Sequence, residues 1–259
     1  MLTTGDREET MRLQILGCGD AFGSGGRLNT CFLADRGASS FLIDCGATVM
    51  IAIRRFGVDP NSIGAIFLSH LHGDHFGGLP FFILDAPLVS RRTAPLTIVG
   101  PRGTSARLHA LMEVLFPGSA TIERKFALEI VEIDPGAPVS IAAVGAMVRA
   151  YEMKHESGAP SLGLRVESDG CVIAYTGDTE WTESVIEVGR NADVFLAEAS
   201  WFERKVRGHM DFVSLSERLP AIAAKRTVLT HMSPDMLSRS PATFGSCIPA
   251  EDGMAIDLS

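Results

Sequence analysis

The sequence predicts a mixed α/β fold built from two similar halves. Short apolar runs of strand length alternate with segments of helical periodicity. The same alternation recurs in the second half with no Pro/Gly/Ser-rich linker between, so residues 11–259 are expected to form one domain. Several apolar runs also end abruptly in His or Asp, at strand ends, where α/β folds place functional groups.

Residues 1–10 lack periodicity and are read as a disordered leader. Structure is expected to begin at Met11 with the apolar run LQIL, which meets the glycine-rich GCGDAFGSGG. Gly17, Gly19 and Phe22 break the G-x-G-x-x-G pattern and no helix-forming stretch follows, so this is a flexible loop near a site rather than a dinucleotide loop. CFLAD and FLIDCG read as a strand pair joined by RGASS, and ATVMIAIRRFG as a helix ended by Gly57. GAIFLSH is a buried strand, GGLPFFILDAPLVS a helix, LTIVGP a strand, and TSARLHALMEVLF a helix stopped by Pro117. In the second half ALEIVEI, AMVRAYEM, LGLRVE, CVIAYTG and DVFLAEA read as strands, with WTESVIEVG and VSLSERL as helices. Ser214 and Glu217 have capping-box spacing for the last of these. RTVLTH is the final clear strand before a loop, and GMAIDL adds an edge strand.

Composition removes several classes of function. No apolar stretch approaches the roughly 18 residues that cross a bilayer, and the polar, acidic start lacks a basic-then-apolar leader. A cytoplasmic protein with no membrane partner is expected. Cys18, Cys31, Cys45, Cys171 and Cys247 are scattered without C-x-x-C spacing, which argues against a disulfide framework and against a thiolate zinc site. A net charge of −8 advertises no basic face for nucleic acid. Arg54-Arg55, Arg91-Arg92 and Arg204-Lys205-Arg207 read as solvated surface, as does His109 in its helix.

The chemistry concentrates in SHLHGDHFGGLP, which sets His70, His72, Asp74 and His75 directly after a buried strand. In a turning segment His70 and His72 project to one side, while the chain bends at Gly73 and sends Asp74 and His75 elsewhere. Three further strands end in candidate ligands: AYEMKH in His155, AYTGDT in Asp178 and TVLTH in His231. Taken singly, His155 is a hydrogen-bonded residue and Asp178 a helix cap. The H-x-H-x-D-H cluster is specific, however, and a dinuclear site needs the others. The expected arrangement is His70, His72 and His155 on one ion, Asp74, His75 and His231 on a second, and Asp178 bridging them. Imidazole and carboxylate without thiolate suit two divalent ions, Zn2+ first, with Mn2+ or Fe2+ compatible.

SHLHGDHFGGLP followed in order by KH, YTGDT and LTHMSP resembles the metallo-β-lactamase superfamily, and the resemblance covers residues 11 to 259. It implies a four-layer αββα sandwich with a dinuclear metal site at one edge of the two sheets. HLHGDHFGGLP and THMSP look most like ribonuclease Z and its smaller phosphodiesterase-like relatives. That resemblance also implies a pair near the scissile phosphate, Glu198 from LAEAS and His209 from RGHMD, and an orienting role for Asp44 in FLIDCG. It breaks down in three places. The tRNA-gripping arm is missing, because only a hairpin fits between His155 and Asp178; Asp235 follows SP where arginine is usual; and Met210-Asp211 replaces a small hydroxyl pair.

The functional expectation is a dinuclear metal-dependent phosphodiesterase acting, through a metal-bridging hydroxide, on a compact phosphodiester such as a cyclic nucleotide, a cyclic phosphate or an RNA end. Asp74 would orient the hydroxide, and His209, polarised by Glu198, would protonate the leaving oxygen. The alternatives are an ester, lactone or thioester hydrolase on the same metals, ribonuclease Z-like tRNA 3′ processing, and a scaffold that binds metal without turnover. The expected partners are a small or short phosphodiester substrate and, by resemblance only, a second copy of the chain in a homodimer.

Overall fold

The computed structural model describes residues 11–36 and 39–258, so the expected leader at 1–10 lies outside the described residues. Fourteen strands among the described residues form two seven-stranded sheets. The first half contributes β1 (Met11–Gly17), β2 (Cys31–Asp35), β3 (Ser40–Ile43), β4 (Ile63–Phe67), β5 (Leu96–Pro101) and β6 (Leu128–Ile133). The second contributes β7 (Val139–Ile141), β8 (Ala146–Met153), β9 (Ser161–Ser168), β10 (Cys171–Tyr175), β11 (Val194–Glu198), β12 (Thr227–Thr230) and β13 (Ile248–Pro249). The last strand, β14 (Ala255–Leu258), returns to the first sheet as its edge, as the pattern GMAIDL predicts.

The sheet orders are β14-β1-β2-β3-β4-β5-β6 and β7-β8-β9-β10-β11-β12-β13. Each begins with antiparallel neighbours and ends with four parallel strands, so the two halves share one topology. The inner faces meet in an apolar layer where Phe32 sits edge-on to Tyr175 at 5.2 Å and Phe41 edge-on to Phe67 at 5.2 Å. On the outer face of the first sheet pack α1 (Val49–Arg55) and, past the short turn α2 (Gly73–Phe76), α3 (Leu79–Leu88) and α4 (Thr104–Leu115). The second sheet is covered by α5 (Ser184–Gly189), α6 (Phe212–Ser216), α7 (Leu219–Ile222) and α8 (Pro234–Leu237). The result is the four-layer αββα sandwich. No helix among the described residues is long and apolar enough to cross a membrane.

Local rules explain most boundaries. Helix α1 stops where Gly57, at φ +68°, lets its N–H reach Arg54 O and the Val58 N–H reach Ile53 O at 3.0 Å, a Schellman ending. Four expectations need correcting. The Ser214–Glu217 capping box does not form; Asp211 caps α6 instead, its Oδ1 accepting from the Ser214 N–H at 2.9 Å. Arg92, read as solvated surface, is buried and donates to the carbonyls of Pro60, Ile63, Ala94 and Pro95. The segment after His231, read as loop, contains α8, started by Pro234 at its first turn. The glycine-rich loop is organised rather than loose, because Asp20 Oδ1 accepts from the N–H groups of Phe22 and Ser24 at 3.1 and 2.9 Å.

Phe67 is fully buried between the sheets against Phe41. Phe67→Ala is expected to destabilise the protein by about 3–5 kcal/mol. Leu88→Ala, at a side chain 72% exposed, should stay within about 0.5 kcal/mol. Chemical denaturation of the two variants checks the difference.

Candidate metal centre

Strands β8, β10, β11 and β12 all point the same way, so their C-terminal ends share one rim of the second sheet. The chain leaving β4 meets that rim from the first sheet, tied across by the Leu162 N–H to Ser69 O at 2.9 Å. The His72 carbonyl then accepts from the N–H groups of His75 and Phe76, both at 3.0 Å, and winds the turn α2 that carries Asp74 and His75 away from His70 and His72. Two residues past β8 comes His155, three past β10 Asp178, at the end of β11 Glu198, and directly after β12 His231.

All seven expected ligands converge. His70, His72 and His155 offer three nitrogens within 4.8 Å of one another, and Asp74, His75, Asp178 and His231 form a second such group. Asp178, Glu198, His209 and His231 form a third, which brings the expected Glu198–His209 pair to the same centre. Asp178 occupies the middle: its oxygens lie 3.8 Å from His70 Nε2, 3.4 Å from His75 Nε2, 3.9 Å from His155 Nε2 and 3.3 Å from His231 Nε2. His209 Nδ1 is hydrogen-bonded to Glu198 Oε1, and Glu198 Oε2 accepts from the Thr179 N–H at 2.6 Å.

Each ring is oriented from behind. Asp44 Oδ2 accepts from His75 Nδ1 at 2.7 Å, and the same carboxylate accepts from the N–H and hydroxyl of Ser69, both at 2.8 Å. Ser69 Oγ lies 3.1 Å from His70 Nδ1, and because it donates to Asp44 it accepts from that ring. Gly208 O holds His155 Nδ1 at 2.7 Å. Ser200 Oγ sits 3.0 Å from Glu198 Oε1 and 3.2 Å from His231 Nδ1, linking the two. These contacts place Nδ1–H on the backed rings and aim Nε2 at the centre. Ser69, Ser200 and Gly208 escaped the sequence reading, since one hydroxyl or carbonyl has no pattern of its own. Asp235, expected beside a phosphate pocket, instead accepts from the Phe202 N–H at 3.1 Å and Arg239 Nη2 at 3.1 Å. His109 is exposed, as expected.

Charge and valence both fit divalent cations. His70 Nε2, His75 Nε2 and Asp178 Oδ1 are buried without a hydrogen-bond partner among the described residues, an arrangement that buried polar atoms avoid unless something else binds them. Burial holds the His70 and His72 rings below the ordinary histidine range, so they are neutral and able to ligate. At His75 and His231 burial acts the same way but is outweighed, chiefly by the Asp178 charge, and His231 is raised to about 9. Burial likewise pushes Asp74 and Asp178 up, yet the His231 hydrogen bond to Asp74 and the charges of His231 and His75 outweigh it and hold both below the carboxylate range. Imidazolium is answering carboxylate where a divalent ion would answer it better.

A family model described as anti-Pycsar protein Apyc1 matches residues 11–247. The chain belongs to this family. It is 30% identical over 256 residues to ribonuclease Z of Geobacillus kaustophilus (strain HTA426), with 78% of this chain and 80% of that protein covered. Human tRNase Z, short form (ELAC1), superposes with a TM-score of 0.75 at 25% identity, covering 96% of this chain and 100% of that one. The metallo-β-lactamase fold protein YhfI from Bacillus subtilis superposes with a TM-score of 0.77 at 19% identity, covering 96% and 99%. This Apyc1-family chain is thus a metallo-β-lactamase superfamily hydrolase near ribonuclease Z, and its His/Asp clusters suit divalent metal ions.

Two outcomes follow from the geometry. Asp44→Asn would present an amide donor to Ser69 and His75, driving the His75 proton onto Nε2, where it blocks ligation. Metal affinity is expected to fall about 10–100-fold, read as metal per chain after dialysis. Because the surrounding carboxylates raise the pKa of His75 and bring that of His231 to about 9, metal uptake should release protons and tighten as pH rises toward 9. Calorimetry in buffers of different ionisation enthalpy measures that release.

Proposed function

We propose that this Apyc1-family chain is a dinuclear metal-dependent phosphodiesterase acting on a compact phosphodiester, a cyclic nucleotide first among them. His70, His72 and His155 would hold one ion, Asp74, His75 and His231 the other, with Asp178 between them and Zn2+ the leading candidate. The observation that carries the reading is the Glu198–His209 pair beside those ligands. Attack on an ester or lactone carbonyl forms a tetrahedral intermediate before the alkoxide departs, whereas displacement at phosphorus expels the alkoxide as the new bond forms, so an acid beside the leaving oxygen lowers that barrier directly.

Bound there, the ions supply Lewis acidity, bringing the pKa of water toward about 7 and neutralising charge on the phosphoryl group. The chain's own residues supply the rest. Asp74, ionised between His75 at 3.1 Å and His231 at 3.2 Å, accepts a hydrogen bond from the attacking water and aims it. As oxygen bonds to phosphorus, the P–O bond to the leaving group breaks, and that oxygen takes the proton from His209 Nε2. Burial works against the charge on His209, but the Glu198 hydrogen bond outweighs it and raises its pKa above the ordinary value, which favours the protonated ring. Asp178 and Glu198 stay as scaffolds that hold the surrounding rings.

Size and charge support a compact substrate. An open cavity of about 550 Å³ beside His155 is lined by Lys154, Glu156, Glu180, Arg207 and Gly208, within the range of small-molecule sites. Strands β9 and β10 are joined only through Asp169-Gly170, so no arm extends there to grip tRNA. The net charge of −8 also disfavours a long polyanion.

Purified protein should hydrolyse bis-p-nitrophenyl phosphate and a 3′,5′-cyclic nucleotide, lose activity to chelation, and regain it with Zn2+ or Mn2+. His209→Ala should lower kcat about 100-fold or more for substrates with a poor leaving group and far less for p-nitrophenolate, which needs no acid. Turnover of a lactone panel without any phosphodiester turnover would replace this reading with a carbonyl hydrolase.

A further inference from the structure

The turn carrying His209 is anchored from outside the metal cluster. It closes through the His209 N–H to Val206 O at 3.1 Å. Within it Gly208 faces two ways: its carbonyl takes the His155 Nδ1 proton at 2.7 Å, and its N–H donates to Glu180 Oε1 at 3.0 Å. Gly208 adopts φ +81°, and a Cβ there would come within 3.0 Å of His155 Nδ1, so turn and ring lie in direct contact. Glycine is also the residue whose backbone rotates most easily once released.

Glu180 is itself well seated. Its backbone N–H donates to Lys154 O at 3.1 Å, and its Oε2 accepts from Lys154 Nζ at 2.5 Å. Lys154 directly precedes His155, and Glu180 lies two residues past Asp178, so this one residue ties the segments of two expected ligands to the turn that carries His209. It also borders both the cavity beside His155 and a smaller one of about 150 Å³ that contains His209 and Trp181.

We propose that Glu180 is a positioning residue whose carboxylate clamps the Val206–His209 turn, fixing the His155 ring for metal and setting His209 against Glu198. The His155 half stands on the geometry alone; the His209 half rests on the phosphodiesterase reading. Without the carboxylate, the Gly208 N–H loses its acceptor and the adjoining carbonyl is free to swing off His155 Nδ1. The ring then loses the contact that keeps its Nε2 lone pair toward the centre.

The test compares E180A with E180Q, whose amide oxygen keeps an acceptor for the Gly208 N–H. Zn2+ competition against a chromophoric chelator should show one of two ions bound about 10–100-fold more weakly in E180A, with the other unchanged. The exchange-protected Nδ1–H resonance of His155 should vanish in E180A and persist in E180Q. On a 3′,5′-cyclic nucleotide, whose leaving oxygen needs an acid, kcat should fall in E180A with KM little changed, and E180Q should restore most of it. Wild-type affinity for both ions together with an intact His155 resonance in E180A would overturn the proposal. So would E180Q losing as much as E180A, which would assign the effect to the Lys154 ion pair. Should no phosphodiester be turned over even by the unsubstituted protein, the metal and resonance readouts still decide the clamp separately.

Discussion

Everything at the rim of this sandwich answers to one buried carboxylate. Asp178 is 2% exposed and lies within 4 Å of five imidazole rings, those of His70, His75, His155, His209 and His231. A charge so placed is unfavourable unless positive groups surround it. Those groups come from both sheets, so the centre exists only if the end of β4 and the ends of β8, β10 and β12 meet. The backbone bonds that cross the rim, Leu162 N–H to Ser69 O and His231 N–H to Cys18 O, are what make them meet. Gly177 allows the approach: it takes φ +60°, and a Cβ there would press within 2.8 Å of Leu162 O and 3.0 Å of Ser69 Cβ.

The two halves repeat a device as well as a topology. In the first, Ser69 stands between the Asp44 carboxylate and the His70 ring. In the second, Ser200 stands between the Glu198 carboxylate and the His231 ring. In each case a buried acid orders a hydroxyl, and the hydroxyl orders a histidine. The acids then diverge. Asp44 has no exposure and also backs His75, which keeps it structural. Glu198 bonds instead to His209, a quarter-exposed ring at the mouth of the site, and so couples the interior to whatever binds there.

Much of this was legible in the chain. His70, His72, Asp74 and His75 announce themselves through density of ligating groups in a short stretch, and His155, Asp178 and His231 through their position after apolar strands. Glu198 and His209 became visible only through family resemblance, since each alone is an ordinary polar residue. Asp211 illustrates the opposite failure. The Ser214–Glu217 spacing suggested one cap, but the backbone turns three residues earlier, and the shorter Asp side chain reaches the Ser214 N–H. Neighbour geometry, which spacing does not encode, decided between two chemically valid caps.

By itself the sequence determined the α/β class, the two-half organisation and which His and Asp residues cluster at the rim, because hydrophobic period and residue chemistry are local properties. Only the tertiary structure decided which nitrogen of each ring faces the centre and which groups hold it there. Those choices depend on contacts such as Asp44 with His75, Gly208 with His155 and Ser200 with His231, each made between segments far apart in the chain. A hydrogen bond selects a tautomer only when donor and acceptor are within about 3 Å, and it is folding that brings them there.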